Sequence, residues 1–297
     1  MSALGRVPPG AMPALRRVPG IARLYSATSR IAMPAGAVRL ADGSGYVVTT
    51  PQGTSFVIDA DAALANDLAA GPTFVQRVFE SLVEPGGRVL DVGAAIGVFT
   101  VLAARRTGPS GRVVAFEPVP KNVLRWRENV RRNDVPHAEV VAAAVGDRSG
   151  TVTMYLTPMA YGHSLAPVSG EAITVPMVRI DDALDGDRFD VVKIDAEGVE
   201  PLVFSGMTHL LDRSPEAVVF LEYYPSALAA MGHDPEAFLR DLLARFAYLY
   251  VVGDDSVTLL GRGDSQDITE LATPRAMAAC DLVAANRALD FGAVAPG

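Results

Sequence analysis

From Arg88 to Leu260, short apolar runs of strand length alternate with amphipathic stretches of helix length. This alternation is typical of βαβ units, whose strands run parallel and whose connecting helices cover both faces of one sheet. The last two runs are separated only by Gly253-Asp254-Asp255, which predicts an antiparallel hairpin at the end of the sheet. The pattern therefore predicts an α/β fold with a mostly parallel seven-stranded sheet and helices on both faces. The predicted strands are 88–92, 112–116, 139–145, 190–194, 217–222, 248–252 and 256–260, and the predicted helices are 73–82, 98–106, 121–132, 200–211 and 235–246.

The segments outside this pattern have a different composition. The first forty residues hold six arginines, several prolines and no acidic residue before Asp42. Short β-like pieces follow at Tyr46–Thr49 and Ser55–Ile58. We expect the arm to pack on the main domain or to cap its site, and a transit peptide is the alternative that the arginine-rich composition leaves open. The predicted division is an N-terminal arm with a small β-rich extension over 1–70, a main domain over 71–262 and a C-terminal helical tail over 263–297.

The overall charge and the cysteine content argue against several classes of protein. With 34 acidic and 26 basic residues the formal net charge is −8, whereas a nucleic-acid binder usually presents a basic face. Cys280 is the single cysteine, so no intrachain disulfide can form, and the four scattered histidines argue against a zinc site. No apolar run approaches the roughly 18 residues that cross a bilayer. We therefore expect a cytoplasmic protein with no nucleic-acid partner and no membrane span, and a homo-oligomer is compatible with the sequence.

The first predicted strand runs into Asp91-Val-Gly-Ala-Ala-Ile-Gly97. Glycines at a strand-to-helix turn let a ligand lie against the backbone, where a Cβ would block its approach. The spacing differs from the G-x-G-x-x-G of nicotinamide sites, because Ala95 stands where the second glycine would be. The loop suits a nucleoside that carries an amino-acid tail and no pyrophosphate. Its candidate binding residues are Asp91, Gly93, Ala94 and Gly97.

The next two strands end in residues that could hold the rest of a nucleoside. The second strand ends in Glu117-Pro118, and a carboxylate at this point can accept hydrogen bonds from both ribose hydroxyls. The third ends in Gly146-Asp147, whose backbone and side chain could face an adenine. Asp147 could equally be a plain turn residue. Together with the first loop, these residues predict a nucleoside cofactor.

The most specific segment is Asp190-Val-Val-Lys-Ile-Asp-Ala-Glu-Gly198. The two-residue alternation of a strand delivers Lys193, Asp195 and Glu197 to one side at its carboxyl end. Three charged groups at this point are costly unless they are paired or solvated in a cleft. The segment therefore predicts either a functional cleft or a lysine–carboxylate cluster that braces the turn.

These motifs resemble those of the FkbM-type methyltransferases, which depend on S-adenosylmethionine (SAM). The resemblance covers roughly Gly71 to Leu260. It implies a Rossmann-like SAM methyltransferase fold, SAM as the cofactor, and O-methylation of a hydroxyl group on a polyketide, a sugar or another secondary metabolite. The family usually has asparagine where this chain has Ala95, so the contact of that side chain with the cofactor is missing here. The matching segments are 89–97, 114–120, the strand into Gly146-Asp147, 192–198 and 219–222.

Methyl transfer to a hydroxyl also needs a general base within hydrogen-bond reach of the acceptor. The candidates are His163, Asp195 and Glu222. We predict that His163 is the base, because imidazole titrates near neutral pH and the 155–166 loop could fold over the site. Asp195 would then orient the acceptor or the sulfonium side of the cofactor. A divalent ion held by Asp195 and Glu222 is an alternative, since carboxylates suit magnesium.

Two other classes of function remain open from the sequence. A nicotinamide-dependent oxidoreductase is disfavoured by Ala95, and neither Tyr223 nor Tyr224 has a lysine four residues further on. A non-catalytic nucleoside-binding module could retain the same sheet without turnover. The motif residues Gly93 and Glu117 favour an intact cofactor site over that second alternative.

Overall fold

The structure, a computed structural model, describes residues 32–156, 171–262 and 279–294. Fourteen strands occur within these residues. They are β1 (Val38–Arg39), β2 (Tyr46–Thr49), β3 (Ser55–Ile58), β4 (Arg88–Val92), β5 (Arg112–Phe116), β6 (Ala138–Val141), β7 (Ala144–Val145), β8 (Gly150–Tyr155), β9 (Ala172–Val178), β10 (Val191–Ile194), β11 (Val218–Tyr223), β12 (Tyr248–Val252), β13 (Val257–Arg262) and β14 (Cys280–Ala285).

Helices connect most of the strands of the central sheet. None of the helices in the described ranges has the length and apolar character needed to cross a membrane. Those described are α1 (Ala62–Ala70), α2 (Phe74–Leu82), α3 (Val98–Thr107), α4 (Pro120–Arg132), α5 (Ile180–Ala183), α6 (Glu200–Ser205), α7 (Thr208–Arg213), α8 (Pro225–Ala230) and α9 (Pro235–Arg245).

Eight of the described strands form one central sheet, in the order β13-β12-β14-β11-β10-β4-β5-β6. The five strands from β6 to β11 in this order are parallel. Alternate residues of β11 enter the two hydrophobic cores of the protein, with Val218 and Phe220 in one and Val219 and Leu221 in the other. A strand that is apolar on both faces is expected in a parallel sheet covered by helices on both sides. The predicted α/β fold is confirmed, and so is the antiparallel hairpin of β12 and β13 at the end of the sheet.

The eighth strand, β14, corrects the prediction of a helical tail over 263–297. Residues 280–285 form a strand that inserts between β11 and β12 and runs antiparallel to both. Leu282, Val283, Ala284 and Ala285 are all buried, so both faces of this strand are covered. A short run that is apolar on every side fits the middle of a sheet better than the surface of a helix. The helical prediction is therefore wrong for these residues, and the sheet has eight strands in place of seven.

Two other predicted elements are broken in the structure. The predicted strand 139–145 divides into β6 and β7, and β7 pairs with β9 in a separate three-stranded sheet that also contains β8. The predicted helix 200–211 is interrupted at Gly206, between α6 and α7. A Cβ on Gly206 would lie 2.0 Å from the carbonyl oxygen of Gly146, which follows β7. The backbone that follows β7 therefore packs against the break between α6 and α7.

The N-terminal extension packs on the main sheet's helix layer. Strands β1, β2 and β3 form a small antiparallel sheet. Asn129 of α4 and Asn133, the residue that caps the end of α4, hold β3 by its backbone. The N–H of Val57 donates to Asn129 at 2.6 Å, and the N–H of Ser55 donates to Asn133 at 3.0 Å. The extension therefore lies against the helix that follows β5.

Candidate functional site

A cavity opens where the carboxyl ends of β4, β5 and β10 lie side by side. Ligands of open parallel sheets bind at this edge, outside the carboxyl ends of the strands. Two segments that follow these strands contribute to its wall: residues 93–97, here called the β4 loop, and residues 195–198, here called the β10 turn. The described residues that line the cavity are Val92, Gly93, Ala95, Phe116, Glu117, Pro118, Val119, Asn122, Ala143, Ala144, Val145, Met154, Asp195, Ala196, Glu197 and Val199.

The β4 loop is built from backbone in the left-handed region, which glycine adopts most readily. Gly93 has a φ of +81°, and a Cβ there would lie 1.8 Å from the carbonyl oxygen of Asp195. The β4 loop and the β10 turn therefore touch through bare backbone. Gly97 has a φ of +90°, and a Cβ there would lie 2.7 Å from the Trp126 ring. Ala95, between the two glycines, also has a positive φ of +48°.

Glu117, which follows β5, braces the β4 loop. Its Oε2 accepts a hydrogen bond from the N–H of Ala95 at 2.8 Å. Its Oε1 accepts one from the N–H of Val119 at 2.8 Å and one from the side-chain amide of Asn122 at 3.3 Å. Glu117 lines the cavity although it is only 4% exposed, and this burial raises its pKa to about 7. Because a carboxylate has about four lone-pair sites, it can still accept hydrogen bonds from a ligand in the cavity.

Lys193 forms an ion-pair cluster at the ends of β4 and β10. Its Nζ lies 3.2 Å from Oδ2 of Asp195, 3.9 Å from Oδ1 of Asp91 and 4.6 Å from the centre of the Phe99 ring. Burial lowers the pKa of Lys193, but the carboxylates of Asp195 and Asp91 outweigh that effect and the pKa is raised overall. Asp91 is fully buried and accepts a hydrogen bond from Thr100 at 2.6 Å. Of the three charged residues considered from the sequence, Lys193 and Asp195 therefore form an ion pair, with Asp91 as its further member, and Asp195 also lines the cavity.

The β10 turn has an unusual backbone and its own brace. Glu197 has a φ of +56° and Gly198 a φ of +95°. Oε1 of Glu200 accepts hydrogen bonds from the N–H groups of Ala196 and Gly198, each at 3.1 Å. Oε2 of Glu200 is buried and has no hydrogen-bond partner among the described residues. Glu200 is only 1% exposed, and this burial raises its pKa to about 7.

Two further carboxyl groups lie beyond Asp195 along the same edge of the sheet. Glu222 on β11 is the direct cross-strand partner of Asp281 on β14. Like charges opposite each other on a sheet are unfavourable when both are ionised. Burial and then the charges of Asp195, Glu197 and Asp281 raise the pKa of Glu222 well above its usual value. Burial and then the charge of Asp195 raise the pKa of Asp281 to about 7. We call Asp195, Glu222 and Asp281 the acidic edge.

The structure brings together part of the predicted set of cofactor residues. Four of them line the cavity, and three are buried beside it among the described residues. The lining residues are Gly93, Glu117, Pro118 and Asp195, and the buried ones are Asp91, Ala94 and Gly97.

Gly146 and Asp147 are not among the described residues that line the cavity. Gly146 packs against Met177, whose sulfur would lie 2.8 Å from a Cβ at that position. Asp147 pairs with Arg148 at 3.2 Å near the surface. The reason is the break after β6, since the chain has already turned into the small sheet at this point. The residues just before Gly146, at 143–145, line the cavity in its place.

Some site residues were not predicted from the sequence, and one predicted residue lies outside the described part of the chain. His163, the predicted base, lies outside the described residues. Asn122 was missed, although its place in the first turn of α4, close after Glu117, could have indicated it. Asp281 carried no sequence signal, because its partner Glu222 is set by long-range strand pairing. Within the described ranges, no group of three or more His, Cys, Asp and Glu residues could hold a metal ion.

Comparison with known proteins gives several partial matches. An arsenite methyltransferase from Halobacterium salinarum is 37% identical over 62 residues, which are 21% of this chain and 16% of that protein. A protein-L-isoaspartate O-methyltransferase from Aeropyrum pernix is 38% identical over 81 residues, which are 27% of this chain and 30% of that protein. The chain thus spans less than a third of the length of these curated relatives. Among solved structures, the O-methyltransferase TomG from Streptomyces achromogenes, involved in tomaymycin synthesis and in complex with SAM, has 18% identity and a TM-score of 0.42, covering 71% of this chain and 79% of that chain.

A family model described as the methyltransferase FkbM domain matches residues 91–250, which is more than half of the chain. The matched region contains the β4 loop, Glu117 and the β10 turn, and it includes every described residue that lines the cavity. The match supports a methyltransferase and gives no support to the nicotinamide-dependent alternative. The chain belongs to the FkbM family of methyltransferases, and its cofactor is SAM.

Proposed function

We propose that this methyltransferase acts on a hydroxyl group of a small molecule, such as a polyketide, a sugar or another secondary metabolite. The observation that carries the proposal is the acidic edge of Asp195, Glu222 and Asp281, because a hydroxyl acceptor must lose a proton as it is methylated. When bound, SAM supplies a methyl group that its sulfonium already activates. The tasks left to the protein are to align the acceptor and to remove that proton.

The residues of the cavity fit this cofactor. Gly93 lines the cavity with backbone atoms alone, and the β4 loop would hold the amino-acid end of SAM. Glu117 would accept hydrogen bonds from the ribose hydroxyls, since its carboxyl group is fixed at the cavity wall by the N–H groups of Ala95 and Val119. The adenine would lie against the apolar part of the wall at 143–145, rather than against Gly146 and Asp147.

For the described part of the chain, we assign the proton acceptor to Glu222, which is close enough to Asp195 and Glu197 on the cavity wall to interact with their charges. A carboxylate of ordinary pKa is a poor base toward an alcohol, but burial and neighbouring charges raise the pKa of Glu222 well above its usual value. Asp195, which lines the cavity and is held by Lys193 at 3.2 Å, would orient the acceptor. The assignment of His163 as the base remains a prediction from the sequence, and the two assignments are separated by mutation below.

The test of this function starts from the metabolites of the cell. Deletion of the gene should cause accumulation of one metabolite with a free hydroxyl group where the normal metabolite carries a methoxy group. The accumulated metabolite is therefore lighter by one CH₂ unit. The purified protein with SAM should convert the accumulated species into the normal one. Conversion in the presence of a chelator would exclude a required divalent ion. Methylation at nitrogen or carbon, or NADH turnover without SAM binding, would contradict the proposal.

The division of the chain at residues 70 and 262 is likewise a proposal. The contacts of Asn129 and Asn133 with β3 support an extension that is packed on the main domain. Strand β14 requires the main domain to include residues 280–285 as well, since this strand lies inside the central sheet. We therefore propose that the catalytic domain continues through β14.

A further inference from the structure

The β10 turn presents two acidic side chains to the cavity on a backbone that needs support. Asp195 and Glu197 both line the cavity. Glu197 has a φ of +56°, in the left-handed region that side chains other than glycine rarely adopt. A residue in this region persists only when its surroundings hold it there. The β10 turn therefore needs a neighbouring group that fixes its backbone.

The two N–H groups on either side of Glu197 converge on a single oxygen atom. Ala196 and Gly198 both donate to Oε1 of Glu200, each at 3.1 Å. This arrangement fixes the backbone before and after the left-handed residue. Without Glu200, the N–H of Gly198 would be a buried donor without that partner, which is costly.

The turn is also enclosed by backbone on two sides. A Cβ on Gly93 would lie 1.8 Å from the carbonyl oxygen of Asp195, and a Cβ on Gly198 would lie 2.7 Å from the backbone of Ala227 in α8. A small shift of the turn would therefore collide with the β4 loop or with α8. The turn therefore has little room to move, and the side chain of Glu200 connects it to α6 through two hydrogen bonds.

Glu200 itself is not placed to touch a ligand. It is 1% exposed and is not among the described residues that line the cavity. Oε2 has no hydrogen-bond partner among the described residues, so the hydrogen bonds between Glu200 and the turn are both made by Oε1. An amide in place of the carboxyl group would keep that acceptor oxygen, whereas a shorter side chain would withdraw it.

We propose that Glu200 is a positioning residue for methyl transfer, which holds the β10 turn so that Asp195 and Glu197 remain at the cavity wall where the acceptor binds. This inference rests on the proposed function in one respect, namely that the acceptor lies on the side of the cavity formed by the β10 turn. It does not depend on which group of the acceptor is methylated.

The test compares Glu200→Gln, which keeps the acceptor oxygen, with Glu200→Asp, which keeps the charge and shortens the side chain. Glu216→Asp makes the same change at an exposed position outside the cavity lining and serves as the control. Hydrogen exchange of a peptide spanning the β10 turn should be faster in Glu200→Asp by about tenfold or more, and unchanged in Glu200→Gln and in the control. This measurement needs no acceptor.

Activity is then measured with the species purified from the deletion strain. Glu200→Asp should lower kcat by about 10- to 100-fold, the effect of a misplacement on the order of 1 Å, while the Kd of S-adenosylhomocysteine stays within about threefold. Glu200→Gln should retain kcat within about threefold. Wild-type kcat and exchange in Glu200→Asp, or a Glu200→Gln variant as impaired as Glu200→Asp, would overturn the inference. Methylation of a group other than hydroxyl by the wild type would overturn the proposed function alone.

Discussion

The β4 loop and the β10 turn meet through Gly93 and Asp195, and each is held by a buried glutamate. Glu117 accepts the N–H of Ala95 in the first, and Glu200 accepts two N–H groups in the second. Burial raises the pKa of both glutamates to about 7. The two glutamates differ in their access to the cavity, because Glu117 lines it and Glu200 is not among the described residues that do. The same kind of brace can therefore contact the ligand on one side of the cavity and act only through the backbone on the other.

The largest expected effect is a loss of methyl transfer without a loss of cofactor binding. Glu222→Gln removes the proposed proton acceptor and should lower kcat by about 10²- to 10⁴-fold, the usual contribution of a general base. The Kd for SAM should not change, because Glu222 is not among the described residues of the cavity wall. Steady-state kinetics and titration calorimetry check both parts.

The pH dependence of kcat tests the same role of Glu222. A base must be deprotonated to act, so kcat should rise with pH until Glu222 has lost its proton, and Glu222→Gln should lack this rise. His163→Ala is the comparison variant. A normal kcat in Glu222→Gln together with a large loss in His163→Ala would assign the base to His163.

The second largest expected effect is on the affinity for SAM. Glu117→Ala should weaken SAM binding by about 1.5–3 kcal/mol, because it removes charge-assisted hydrogen bonds to the ribose. Glu200→Gln should leave SAM binding unchanged, since Glu200 is not among the described residues of the cavity wall. Titration calorimetry on both variants tests the difference in access directly. Equal losses of affinity would mean that the two braces are equivalent.

The affinity for SAM should also depend on pH through Glu117. Its pKa is raised to about 7, so the carboxyl group is largely protonated below that pH and ionised above it. The ionised form is the better acceptor for ribose hydroxyls. The affinity should therefore rise by about tenfold between roughly pH 6 and pH 8 and then level off, and Glu117→Gln should lose this dependence. A flat profile in the wild type would contradict the role of Glu117.

The two turns also differ in how far they could be predicted from the sequence. The spacing of Gly93, Gly97 and Glu117 is local to one βαβ unit, so the cofactor side could be predicted from residue types and their order. The left-handed φ of Glu197 and the contacts of Glu200 depend on how the turn is packed between Gly93 and α8. The sequence marks these residues as special but does not show which of them faces the cavity.

The acidic edge could be predicted only in part, for a similar physical reason. Asp195 and Glu222 end strands that are visible in the hydrophobic pattern. Asp281 joins them because β14 inserts between β11 and β12, and strand pairing over such a distance has no local signal. The prediction of Gly146 and Asp147 as cofactor residues requires one continuous strand over 139–145, and the break after β6 removes both residues from the cavity wall.

The smallest expected effect tests whether the two turns store comparable backbone strain. Ala95 has a φ of +48°, where its methyl group is unfavourable and glycine is not. Ala95→Gly should therefore raise the free energy of unfolding by about 0.5–1 kcal/mol, measured by denaturant titration. Ala94→Gly is the matched control one residue earlier, at a buried position that is not among the positive-φ residues, and it should lower the free energy of unfolding.

Glu197→Gly completes this last comparison. It should relieve strain in the β10 turn as Ala95→Gly does in the β4 loop, but it also removes a side chain from the cavity wall. The two variants should therefore agree in the sign of their effect on stability and differ in kcat, with only Glu197→Gly impaired. If Ala95→Gly were less stable than the wild type, the larger conformational entropy of glycine in the unfolded chain would outweigh the strain at Ala95. The strain that matters in these two turns would then be confined to Glu197.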